Sequence, residues 1–109
     1  MDSSTAVSAL SALAQDTRLA VFRLLVRAGP DGLSAGEIAS EVDAVPSTLS
    51  HHLSLLERAG LATSRRDGRM LFYAADYGGT RALLAFLTED CCGGRPELCG
   101  DISITELCS

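Results

Sequence analysis

The sequence contains no lysine; all nine of its basic residues are arginine. Proline is also scarce, with 3 in 109 residues, and 47% hydrophobic against 21% charged residues excludes a disordered or low-complexity chain. No stretch approaches the roughly 20 uninterrupted apolar residues of a membrane span, so no membrane partner is expected. The opening Met1-Asp2-Ser3-Ser4 lacks a basic segment followed by an apolar run and a small-residue cleavage site. A cytoplasmic location is the expectation. At this length the chain makes one small domain, with no room for a second, catalytic one.

Fourteen acids give a net charge of -5, which at first sight argues against nucleic acid as a partner. The charge is unevenly spread, however. Ala44 to Ala75 holds four arginines, two acids and both histidines, whereas Asp76 to the end holds two arginines and six acids. A locally basic face suffices for DNA, because counterion release depends on the phosphates contacted and not on total charge.

Hydrophobic periodicity predicts a helix over Ser3 to Ala14 with Ala6, Val7, Leu10 and Leu13 on its buried stripe. A second helix, capped by Asp16 and running to about Ala28, should bury Leu19, Phe22, Leu25 and Val26. After the breaker Gly29-Pro30-Asp31-Gly32, Leu33-Ser34 opens a short third helix ending near Asp43, with Ser34 and Glu37 at capping-box spacing and Ile38 and Val42 inward. Pro46 suits the first turn of a fourth helix, which Gly60 closes. The period then changes: Leu61 to Arg66 and Met70 to Ala75 read as two strands turning through Asp67-Gly68. Helical spacing returns from Tyr77 to about Asp90, although Gly78-Gly79 weakens its start.

Helices followed by a hairpin make a mainly α winged helix-turn-helix with a two-stranded β-hairpin wing. At about 100° per residue, Leu49, Leu53 and Leu56 form the inward stripe of the fourth helix, and Ser47, His51 and Arg58 lie opposite. Thr48 and Ser50 flank that exposed line near the end where a recognition helix meets base edges and phosphates. His52 falls only about 70° from the centre of the apolar stripe, so two readings stand: a core-edge histidine satisfied by a neighbour, or a phosphate contact. Arg65, Arg66 and Arg69 bracket the hairpin turn and would carry guanidinium groups to the duplex backbone or minor groove. The competing reading of that hairpin is a solubilising, charged edge.

All four cysteines, Cys91, Cys92, Cys99 and Cys108, fall in the last 19 residues. Free thiols or thiolate ligands are favoured over disulfides, because the preceding chain reads as a self-sufficient core in a reducing compartment. Cys91, Cys92 and Cys99 make a chelate of three thiolates, which suits trivalent arsenic or antimony, soft ions that take three sulfurs in a pyramid. That spacing departs from the paired ligands of structural zinc. Alternatives stay open: Cys108 as fourth ligand of a zinc or cadmium site, redox-sensing thiols, or a tail without ligand. No anion-binding loop or general base accompanies the cysteines, so neither an enzyme nor an organic cofactor is expected. A thiol-bearing arsenite carrier remains a competing class, but it leaves the basic hairpin and the polar helix face unexplained.

The stretch Ala14 to Ala75, with ALAQDTRLAVFRLL at its head, then PSTLSHHLSLLERAGL and RRDGRMLFYAA, resembles the ArsR (ArsR/SmtB) family of bacterial metal-sensing repressors. The resemblance implies a homodimer, built from the first and last helices, that binds an inverted-repeat operator in double-stranded DNA and releases it when an inducer binds. The closing CCGGRPELC resembles arsenite-responsive members whose thiols follow the last helix. By that likeness the inducer is As(III) or Sb(III), its ligands Cys91, Cys92 and Cys99, and the DNA-contacting helix covers Ser47 to His52. Leu33 to Asp43 lacks the cysteine motif of many relatives, and Tyr77 to Asp90 lacks the histidines of the zinc and nickel sensors. The expected division is a DNA-binding and dimerisation domain over 1–92 and a cysteine-containing tail over 93–109.

Overall fold

A computed structural model of the chain describes residues 1–89. Its elements are α1 (Ser3–Leu13), α2 (Asp16–Ala28), β1 (Leu33–Ser34), α3 (Ala35–Val42), α4 (Pro46–Arg58), β2 (Ala62–Asp67), β3 (Met70–Ala75) and α5 (Tyr77–Thr88). The helices pack around one core, and the antiparallel sheet has the order β1-β3-β2. The expected tail over 93–109 lies outside the described residues, as do Cys91, Cys92, Cys99 and Cys108.

Local chemistry sets most helix starts. Asp2 accepts from the Thr5 amide at 2.8 Å and begins α1. Gln15, and not Asp16, caps α2: its Oε1 accepts from the Arg18 amide at 2.8 Å, leaving Asp16 to favour the positive end of the helix from within its first turn. The expected capping box is present at α3. The Ser34 hydroxyl accepts from the Glu37 amide at 3.2 Å, and the Glu37 carboxylate accepts from the Ser34 amide at 3.0 Å. Those hydrogen bonds hold the Glu37 carboxyl below its usual range. Asp43 ends α3 in the left-handed region at φ 53°, and Gly60 stands at φ 78° beyond α4.

Three further expectations need correction. The sheet has a third strand: Leu33 and Ser34 pair with Tyr73 and Phe72 before the chain enters α3. Strands β2 and β3 pair from Ala62↔Ala75 to Asp67↔Met70, so the turn is Gly68-Arg69 and Asp67 belongs to the strand. Gly68 takes the positive φ (65°) that the first position of such a two-residue turn requires. The inner faces of the first two helices also differ. In α1 the alanines Ala6, Ala9 and Ala12 are buried, while Val7 and Leu10 are 59% and 42% exposed. In α2 the buried residues are Val21 and Leu25, with Leu19 and Val26 at the surface.

Val21, Leu25, Ile38, Leu49, Leu53, Leu56 and Leu61 are the largest fully buried side chains. Each contributes about 1.5–3 kcal/mol by leaving water. Three of the seven sit on α4, so its inward stripe is seated firmly and its opposite face is fixed in direction. Close backbone approaches complete the frame. Gly32 lies against the Tyr73 carbonyl and Gly79 against that of Gly60, where a Cβ has no room.

Candidate nucleic-acid interface

Helix α4 divides as its periodicity requires. Leu49, Leu53 and Leu56 are buried, whereas Ser47, Thr48, Ser50 and His51 are exposed on the N-terminal two turns. The start of that helix carries Pro46 in its first turn, and Val45 offers no side-chain hydrogen bond to its amides. Free N–H groups and the helix dipole therefore face outward beside the exposed hydroxyls, the arrangement that attracts phosphate.

His52 is turned away from that face. It is 7% exposed, and its Nδ1 lies 3.3 Å from Nη1 of Arg18 on α2. Burial first, then the charge of Arg18 and then that of His51, push its pKa below the usual 6.5. The neighbour that satisfies this histidine is a guanidinium, which only donates, so the ring accepts as neutral imidazole. Arg18 was not singled out in the sequence, yet a signal was present: with Val21 and Leu25 it follows the i, i+3, i+7 spacing of the buried stripe of α2. A charge on an apolar stripe marks a structural partner.

The hairpin holds its three arginines in different ways. Arg65 is anchored: Nη2 donates to the Asp31 carbonyl at 2.8 Å, and Cζ stands 4.7 Å from the centre of the Phe72 ring, opposite it in the ladder. Arg66 points to the other face, as strand alternation demands. That face is shared with Ser64, whose hydroxyl donates to the Glu57 carboxylate of α4 at 3.0 Å and ties the wing to the helix. Arg69 occupies the turn itself, and both Arg66 and Arg69 are exposed. Thus α4 and the wing are fixed to each other, with hydroxyls and an imidazole on one and exposed guanidinium groups on the other.

Among the described residues no group of three His, Cys, Asp or Glu side chains could hold a metal ion. Nor is any described helix long and apolar enough to cross a membrane. The expected thiolate ligands Cys91, Cys92 and Cys99 lie outside the described residues.

Helix α2, the short strand β1, the two-helix unit α3–α4 and the hairpin β2–β3, in this order, define a winged helix-turn-helix protein. A family model described as a helix-turn-helix domain matches residues 13–65. The chain is 40% identical over 79 residues to ArsR of Halobacterium salinarum, a protein named as an arsenical resistance operon repressor, covering 72% of this chain and 60% of that one. It is 34% identical over 80 residues to a homolog of the cadmium resistance regulatory protein CadC from Staphylococcus aureus, covering 72% and 64%. With the transcriptional activator HlyU of Vibrio cholerae it shares 33% identity over 86 residues, 79% of this chain and 77% of that one. The HlyU structure superposes with a TM-score of 0.64, covering 83% of this chain and 95% of that chain. The chain belongs to the ArsR family of winged helix-turn-helix transcriptional regulators.

Proposed function

We propose that the chain is a homodimeric, metalloid-responsive repressor of an arsenic-resistance operon that works in the cytoplasm on double-stranded operator DNA. The observation that carries the DNA reading is the outward presentation of Ser47, Thr48, Ser50 and His51 on a helix locked to a wing bearing Arg66 and Arg69. Ser47 to His51 would read the major groove, with Arg65, Arg66 and Arg69 beside them on the backbone or minor groove. His52 supports that surface from behind.

Val7 and Leu10 on α1 and Leu87 on α5, 52% exposed, support pairing of two copies through the first and last helices. A dimer of this kind sets two recognition helices one helical turn of DNA apart. The inducer reading rests on the sequence: Cys91, Cys92 and Cys99 follow the last helix at a spacing suited to As(III) or Sb(III). Joining those thiolates ties the end of α5 to the segment after it and disfavours the dimer geometry that DNA needs. A coupling of about 1–3 kcal/mol, usual for such linkage, changes operator affinity about 5- to 150-fold. Residues 1–92 then form the DNA-binding and dimerisation domain, ending on Cys91 and Cys92, and 93–109 the cysteine-containing tail that brings Cys99.

A soft-metal reading, with cadmium or zinc on four thiolates including Cys108, is favoured by the likeness to CadC. Fluorescence anisotropy on the DNA upstream of the chain's own gene separates the two. Arsenite should release the wild-type dimer more effectively than cadmium or zinc. Cys91→Ser, Cys92→Ser and Cys99→Ser should each bind DNA normally and fail to release. Release of all three variants by arsenite would overturn the ligand assignment, and dependence on Cys108 with cadmium would favour the second reading.

A further inference from the structure

Arg18 joins three helices. From α2 its Nε donates to the Ala12 carbonyl at 2.6 Å, and its Nη1 stands 3.3 Å from Nδ1 of His52 on α4. Ala12 is in the last turn of α1, where carbonyls lack a partner within the helix, so the guanidinium satisfies one of them. Around it runs an open groove between α1 and α4, lined also by Val7, Ser11, Leu55 and Arg58. The fork of a guanidinium is planar and rigid. Two of its donors, committed to Ala12 and His52, fix the distance between α1 and α4 and the rotation of α4 about its own axis. Leucine packing alone resists translation of a helix more strongly than a small roll.

We propose that Arg18 is the positioning residue of the DNA-reading helix, setting through Ala12 and His52 the angle at which Ser47, Ser50 and His51 face the duplex. The inference rests on the DNA reading given above and adds to it a specific link from the dimer-facing helix to the reading one. His52 acts here as the acceptor that takes up the Arg18 donor, its own side chain never touching DNA. The charged groups facing its ring are Arg18 from α2 and His51 from α4.

The test uses the full chain as wild type, Arg18→Ala, His52→Leu, the double variant and His52→Asn, whose amide oxygen can replace Nδ1 as acceptor. Circular dichroism reports folding, and anisotropy reports binding to a labelled duplex taken from upstream of the chain's own gene. Each single loss should weaken binding about tenfold, the usual scale for a hydrogen bond to a charged group. The double variant should be no weaker than either single, and His52→Asn should recover most of the affinity. Additive losses, or no recovery with asparagine, overturn the proposal. Should Arg18→Ala fail to fold, nitrogen NMR of the wild-type imidazole decides. An unprotonated Nδ1 at pH 7.5 supports the link, and a protonated one overturns it. If the wild type itself binds no duplex, the DNA reading fails, and the amide shifts of Ser47 to His52 in His52→Leu judge this inference separately: movement supports it and stationary signals overturn it.

Discussion

Gly79, in the first turn of α5, lies directly against the backbone carbonyl of Gly60, the residue in the left-handed conformation beyond α4. Next to this contact, the Asp76 amide donates to the Leu61 carbonyl at 2.9 Å, so the end of α4 and the start of α5 form one joint. Gly79→Ala should therefore destabilise the fold by about 1–3 kcal/mol, since both obstructing groups are backbone and the overpacking cannot be relieved by a rotamer. Gly78→Ala is the control: its new Cβ would come no nearer than 3.4 Å, to Asp76 Oδ1. There the better helix propensity of alanine should give up to about 1 kcal/mol of added stability. Denaturant unfolding of the two variants checks the contrast.

The anchoring of Arg65 should set it apart from Arg66 and Arg69 in salt titrations. Arg66→Ala and Arg69→Ala should each lower the slope of log K against log salt by about 0.9 and weaken binding to all sequences alike. Arg65→Ala should lower the melting temperature as well, because it removes the bond to the Asp31 carbonyl and the stacking on Phe72. Equal behaviour of all three would contradict the division.

Val7 and Leu10 bear on assembly. A glutamate at either place should shift the proposed dimer toward monomer in sedimentation equilibrium and weaken operator binding in proportion, while the fold of each chain stays intact. Unchanged sedimentation of both variants would move the interface elsewhere.

Protonation of His52 gives a pH signature. Its folded pKa lies below 6.5 while the unfolded chain titrates near that value, so between the two the unfolded state binds more protons. Stability should be full above about pH 6.5 and decline as pH falls through that value toward the folded pKa. His52→Asn should remove this component. Urea midpoints from pH 5 to pH 8 measure it, and identical pH profiles for the two proteins would contradict it.

Where the sequence was legible, local chemistry determined the outcome. The Ser34–Glu37 capping box, Pro46 at the head of α4, Gly60 beyond it and the Leu49, Leu53, Leu56 stripe all depend on residues within two turns of one another. Partners distant in the chain were hidden. Leu33 and Ser34 form a strand only because Phe72 and Tyr73 arrive beside them, and two residues carry no period. In α1, side-chain size does not decide burial. Small Ala6, Ala9 and Ala12 let the helix approach its neighbours closely, and the bulkier Val7 and Leu10 are left outside. The α4 polar face was legible from angle alone, but the hold on His52 was not, since Arg18 is 34 residues away.

The bare start of α4 has a last implication. An aspartate in place of Val45 would cap the helix, worth about 1 kcal/mol, yet would set a carboxylate where the proposed function has phosphate received. Selection for ruggedness and selection for grip thus pull on one side chain in opposite directions. On the proposed function, a hardened version of this protein obtained at that position would be a poorer switch, and the uncapped helix end belongs to its working design.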